Sequence, residues 1–554
     1  MAIKLSSLFH PLTLLAPHTA APAAVYHQSA IVGGVLAQLR LPRNAAPVKI
    51  RAHHHSAPSS RNHILALRKM DLTVGIKALG NIGRLREARR FQSLLDNEPA
   101  CNDDAAPTTD HDIMAMLALK KEITDTLGYC LQEQYGCDRK AAKREAKNTL
   151  ASYSKAILNN AEWKTVQASF THAGKNFTSE LVPAGQLKLS DNDIFATSYR
   201  DRGISSKSST ETRHAVNLWM SRYTVADGGL RRTLFAGIRH GVLSPYDLEA
   251  NSQERTQGAL NRAKEVLSAA LLLHPEKMAQ GLAGHTVALH LTSASLLTPV
   301  NLGVHTEKSQ LDDQMSAWNT LNAGPVVLDI RNHQGKLVPV TVRADIAAFN
   351  FGVNELALGL LKLGHQQADK FNLPALIKLL GPDLSPAAPP GGWVGKYLAA
   401  RPANAARVEA LATQLKAIWT NKSHHADGGE PYKAAMRVAL LSHEIGIVPC
   451  WNCKSGKDRT GMMDAEIKRE AAAHFLQGRT GDIGLLDKQG QALMQAVMLN
   501  SGNLAIQQYN TGVPGNKSLK NNKLAQTLIG GLTLHDRIGD KAVATAAKGL
   551  SDYV

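Results

Sequence analysis

One stretch constrains this chain more than any other: Val448-Pro-Cys-Trp-Asn-Cys-Lys-Ser-Gly-Lys-Asp-Arg-Thr-Gly461. A short apolar run at 445–448 leads into it. A helical pattern follows, with Met463, Ile467 and Ala471 four residues apart and Phe475 on the same face. The spacing predicts a strand, a tight loop and a helix. A loop at a helix N-terminus is an anion site, because free backbone N–H groups and the positive dipole end face the ligand.

The loop also has the residues for phosphorus chemistry. Cys453 and Arg459 are separated by five residues. A free thiol titrating near about 8.5 is mostly protonated at neutral pH, but Lys454, Lys457, Arg459 and the helix N-terminus all favour the thiolate. A five-residue loop curls its N–H groups into a nest around phosphoryl oxygens, so Lys454, Ser455, Gly456 and Lys457 are expected to hold substrate. Arg459 closes the ring with a planar, two-pronged donor that matches phosphate and its transition state. Thr460 is placed to hydrogen-bond the sulfur, and Asp458, at the rim, to protonate the leaving alkoxide and then activate water. The rival reading is Cys450-Trp-Asn-Cys453 as a redox dithiol or half a zinc site. No second such pair exists, and Cys101, Cys130 and Cys137 lie far away in sequence. Cys450 is therefore expected as a buried strand residue.

A chain of 554 residues can bury a sizeable core in two or more domains. Five cysteines do not make a disulfide scaffold. No run of eighteen apolar residues predicts a membrane span. The net charge of +17 suits nucleic acid or an anionic membrane. No zinc-finger spacing, helix-turn-helix signal or aromatic–basic interleaving supports nucleic acid. A polyanionic lipid fits both the charge and the loop. Thiolate chemistry calls for no cofactor and no metal.

Residues 1–70 contain no Asp or Glu and do not read as a core-forming segment. Their acid-poor, basic composition also suits a presequence, and Met70 is an alternative start. The His53-His-His55 tract reads as solvated. Residues 71–162 read as helical, with one helix from about 109, a basic stretch at 138–147, and a second helix through Leu150, Tyr153 and Ile157. Residues 163–554 read as a mixed α/β (α+β) catalytic domain. Within it, 326–342 is a β-hairpin turning at Gln334-Gly335. It leads into Asn350-Phe-Gly-Val-Asn-Glu355, where Asn350 and Asn354 are candidates to bind substrate hydroxyls or hold the phosphate loop. The alternative is a capped turn. Arg239 and His240 are phosphate-site candidates or structural. Asp427, in a Gly-rich loop, is the alternative acid to Asp458, or a helix cap before Pro431. Lys517, Lys520 and Lys523 either contact further phosphates or form a solvated face.

The sequence resembles the SopB/IpgD (SigD) family of type III secreted inositol phosphate and phosphoinositide phosphatases. The resemblance rests on Asn452-Cys-Lys-Ser-Gly-Lys-Asp-Arg-Thr-Gly-Met-Met463 and Ala348-Phe-Asn-Phe-Gly-Val-Asn-Glu-Leu-Ala-Leu358. It also rests on Gly237-Ile-Arg-His-Gly-Val-Leu-Ser-Pro-Tyr246, His425-Ala-Asp-Gly-Gly-Glu-Pro-Tyr-Lys433 and Asn510-Thr-Gly-Val-Pro-Gly-Asn-Lys517. It implies a Cys453 phosphoenzyme acting on inositol phospholipids or inositol polyphosphates in a host cell, at an anionic membrane. It further implies a secretion signal and chaperone-binding segment near the N-terminus, and a Rho-family GTPase as partner of the helical region. Two lysines beyond what one phosphate needs favour a multiply phosphorylated ring over phosphotyrosine. A protein-tyrosine-type phosphatase and a GTPase-binding effector with secondary catalysis remain the alternatives.

Overall fold

The computed structural model describes residues 61–100, 108–302, 305–359, 363–520 and 532–553. Four helices come first: α1 (Arg61–Asn81), α2 (Leu85–Asp96), α3 (Asp110–Tyr135) and α4 (Arg139–Asn160). A reciprocal cap opens α3, in which the Thr109 hydroxyl accepts from the Asp112 N–H and the Asp112 carboxylate accepts from the Thr109 N–H. The basic stretch expected between two helices is instead the first part of α4. Asp138 caps that helix from outside by accepting from the N–H groups of Lys140 and Ala141. Leu79, Phe91, Ile123 and Leu127 form a core among these helices. A second cluster packs Leu67, Met70 and Met116 against Val513 and Leu550 from the far end of the chain. The boundary expected at residue 70 thus falls inside α1, where Ile64, Leu67 and Met70 are already buried. Residues 1–60, with the expected basic segment and the histidine tract, lie outside the described residues.

The catalytic part is a mixed sheet of eight strands: β1 (Val166–His172), β2 (Lys175–Pro183), β3 (Trp219–Asp227), β4 (Leu230–His240), β5 (Val287–Ser295), β6 (Val326–Arg331), β7 (Leu337–Asn350) and β8 (Val448–Asn452). Their order is β1-β2-β3-β4-β8-β5-β7-β6. The central four, β4, β8, β5 and β7, are parallel, and both flanks are antiparallel. The hairpin forms where the sequence predicts it. The Asn332 side chain accepts from the N–H groups of Gln334 and Lys336, and Gly335 takes the left-handed conformation the turn needs. β7 then continues, trading β6 for β5 as partner at Val342.

Helices cover both faces. On one side lie α5 (Gln253–Leu272) and α6 (Glu307–Asn322). On the other lie α7 (His365–Leu380), α8 (Ala405–Thr420), α9 (Lys433–Glu444) and α10 (Asp458–Gln477). Strand alternation divides β8 between the two cores. Val448 and Cys450 face the first, while Trp451 faces the second, which Cys453 joins just past the strand end. No described helix is long and apolar enough to cross a membrane.

Candidate active site

The 453–459 loop springs from the C-terminal end of a central parallel strand, where open α/β sheets leave a crevice for ligand. Its carbonyl side is tied down from behind. The Val242 N–H donates to the Lys454 carbonyl (3.1 Å), Asn217 Nδ2 to that of Ser455 (3.0 Å) and Arg239 Nη2 to that of Gly456 (3.2 Å). Each planar peptide sets its N–H opposite its C=O, so the amides of Ser455, Gly456 and Lys457 turn away from those donors. Within the loop the Gly456 N–H donates to the Cys453 carbonyl at 3.3 Å and the Lys457 N–H to Ser455 Oγ at 3.4 Å. Gly456 is obligatory here. Its φ is +66°, and a Cβ would come within 2.5 Å of the His240 carbonyl oxygen. Arg239 and His240 are buried and act from behind the loop, not as phosphate ligands. Burial pushes the His240 imidazole down to about 4.

Cys453 is buried, with its sulfur 3.7 Å from Ser455 Oγ. Its N–H donates to Thr460 Oγ1 at 2.8 Å, and the Thr460 hydroxyl also hydrogen-bonds the thiol. Burial acts to raise the thiol pKa. The Arg459 charge and the Thr460 hydrogen bonds outweigh it and hold the group below the ordinary thiol value. Arg459 is aimed by a residue that no sequence pattern revealed. Glu307, at the start of α6, takes both guanidinium nitrogens, with Nη1 at 3.1 Å and Nη2 closer still. Nη1 also donates to the Leu296 carbonyl at 2.7 Å. Burial acts to raise the Glu307 carboxyl, but Arg459 and the Thr298 N–H (2.7 Å) hold it below its usual range.

Asp458 stands at the rim with one oxygen 2.7 Å from Lys457 Nζ and the other accepting the Lys517 N–H at 2.8 Å. Lys517 is thereby fixed beside the loop. Burial, then the Lys457 charge, lower its amine pKa. The Lys454 ammonium lies over the Tyr246 ring, 4.4 Å from its centroid. Lys520 pairs with Asp552 at 2.9 Å, and Lys523 lies outside the described residues.

Two expected substrate ligands do different work. Asn350 is fully buried, and its Nδ2 donates to the carbonyls of Ser295 and Leu297, bracketing the Leu296 carbonyl that Arg459 uses. It holds the neighbouring loop through Nδ2. Asn354 caps the short helix Glu355–Leu358, its Oδ1 accepting from the Ala357 N–H. Asp427 is committed elsewhere, accepting from the Gly429 N–H and from the N–H and hydroxyl of Thr533. Neither it nor Glu430, which pairs with Arg437, caps α9. Tyr432, also missed in sequence, is buried with its hydroxyl lacking a hydrogen-bond partner among the described residues, within electrostatic reach of Arg459 and Cys453. Cys450 faces the opposite core from Cys453 and both thiols are free, which removes the dithiol geometry.

The family model described as "Enterobacterial virulence protein IpgD" matches residues 52–554. The inositol phosphate phosphatase SopB of Salmonella typhimurium is 43% identical over 505 residues, spanning 91% of this chain and 88% of that protein. The inositol phosphate phosphatase IpgD of Shigella flexneri is 42% identical over 416 residues, 74% of this chain and 76% of that one. Among solved structures, a Legionella phosphoinositide phosphatase matches with a TM-score of 0.57 at 11% identity, covering 87% of this chain and 90% of that one, a likeness of fold.

Proposed function

We propose that this chain, which belongs to the IpgD family of enterobacterial virulence proteins, is a phosphomonoesterase acting on phosphoinositides and inositol polyphosphates through a cysteinyl-phosphate. The observation that carries the reading is the Cys453 thiol, held below its ordinary pKa beside Arg459 in a loop whose Lys454, Ser455 and Gly456 carbonyls are bound from behind. The Cys453 thiolate attacks phosphorus, forming an S–P bond as the P–O bond to the inositol ring breaks. Asp458 gives its proton to the departing alkoxide. Water then attacks phosphorus, Asp458 takes its proton, and the thiolate leaves with Thr460 donating to sulfur. Arg459, exchanging part of its hold on Glu307, clamps the equatorial oxygens of both transition states. Lys454, Lys457 and Lys517 supply charge for phosphates elsewhere on the ring.

The same reading makes the protein a secreted effector, delivered by a type III system with a chaperone on its N-terminal segment, and active at anionic host membranes. A Rho-family GTPase on the four-helix region is part of it. The test of the chemistry is phosphate release from phosphatidylinositol 4,5-bisphosphate, soluble inositol polyphosphates and a phosphotyrosine peptide, with wild type beside Cys453→Ser. Release from the inositol substrates by wild type alone supports the reading. Turnover of the peptide alone replaces it with a protein phosphatase.

A further inference from the structure

Away from the catalytic loop, three potential ligands meet where α7 passes the turn after α8. Asp369 Oδ1 lies 2.9 Å from His424 Nε2 and 3.0 Å from His425 Nε2. The three ligand atoms all fall within 4.8 Å of one another. Two imidazole nitrogens thus converge on one carboxylate oxygen. The His425 contact lacks hydrogen-bond angles, and this buried Nε2 has no hydrogen-bond partner among the described residues. Both nitrogens of His424 are directed: Nδ1 faces the Ile418 carbonyl at 3.4 Å, and Nε2 hydrogen-bonds Asp369 Oδ1 at 2.9 Å. Asp369 Oδ2 is taken by Lys422 Nζ at 3.3 Å, leaving Oδ1 for the cluster. Stacking locks the rings, with His365 on His425 at 3.8 Å and Trp419 on His424 at 5.0 Å between centroids. A small cavity lined by Pro299, Asn350, His365 and both cluster histidines adjoins it.

We infer that Asp369, His424 and His425 form a binding site for a divalent transition-metal ion of the zinc type. Two imidazoles and a carboxylate are a common nitrogen–oxygen donor set for zinc, and the cavity admits water as the fourth ligand of a tetrahedral site. The ion staples the 423–425 turn to α7. That turn leads into the segment carrying Glu430 and Tyr432, and then into α9 and the catalytic strand. The site is structural and independent of the thiolate chemistry.

The test uses the full chain, exposed to Zn²⁺, freed of loose metal by gel filtration, and assayed by mass spectrometry and thermal unfolding. About one zinc per chain is expected in wild type, with a Tm raised by Zn²⁺ and lowered by a chelator. Asp369→Asn and His425→Gln lose both responses. Lys422→Ala, and alanine at His53-His-His55, keep them. Co²⁺ added to wild type serves as a check that needs no variant, because four-coordinate cobalt gives an intense visible band. Wild type that retains no zinc and gives no such band overturns the site and leaves an imidazole–carboxylate pair. Zinc retained unchanged in Asp369→Asn and His425→Gln overturns it equally.

Discussion

The two sides of the catalytic loop carry charge in opposite ways. Behind it, Arg239, Asp464 and Lys468 have no exposed side-chain surface. Asp464 lies 2.5 Å from Lys468 Nζ and accepts from Ser221 and Asn503, while Arg239 spans Asn503 and the Gly456 carbonyl. In front, Arg459 and Glu307 keep 18% and 14% of their side-chain surface open, and Lys457 and Asp458 keep 11% and 16%. Buried charges paired with one another and with protein groups have little to exchange, so they fix the backbone. Charges at a wet rim can trade a carboxylate for a phosphoryl group. The loop is thus anchored by one set of ions and works with another.

Three substitutions probe this division, beginning with the largest effect. Asp464→Ala strands two buried cations, and a loss of about 3–5 kcal/mol of stability is expected in chemical denaturation. Unchanged stability would remove the rear network from its anchoring role. Arg459→Lys keeps the charge but loses the planar fork, and kcat is expected to drop on the order of 10²–10³-fold with Tm near wild type. A Tm loss matching that of Asp464→Ala would erase the distinction between front and rear. Thr460→Ala removes the hydrogen bonds that help hold the Cys453 thiol below its ordinary value. Because the thiolate is the reactive form, activity appears only as pH rises past the Cys453 pKa. Raising that pKa moves the acid limb of kcat/KM upward with it. The pH dependence of Cys453 alkylation by iodoacetamide checks it without substrate.

The rear and front also differ in how far they were legible. The loop itself was plain in sequence because its chemistry is local: thiol, glycine, lysines, arginine and threonine follow one another between a strand and a helix. The hairpin was plain for the same reason. Glu307 was invisible, since it sits 152 residues before Arg459 and belongs to no motif around it. Asn350 attracted a functional reading because asparagine beside glycine suits both ligand and backbone. Only the tertiary structure shows its Nδ2 donating to the Ser295 and Leu297 carbonyls. Asp427 needed its partner Thr533, more than a hundred positions on, to be recognised as structural. An acid-poor composition does not prevent folding where apolar residues find partners: α1 starts at Arg61 and buries Ile64, Leu67 and Met70 against helices later in the chain.

The place of β8 in the sheet carries a consequence for how the protein assembles. Its neighbours, β4 and β5, end at residues 240 and 295, yet the strand between them arrives only at residue 448. Until it is inserted, the sheet lacks its middle and the two halves share no ladder there. Pairings of such long range are slow to form, so insertion of the strand that leads to the nucleophile is expected late in folding. In refolding, protection of the β8 amides from hydrogen exchange should appear in the same phase as phosphatase activity. Protection that clearly precedes activity would break this link. Until that insertion the chain carries no working site.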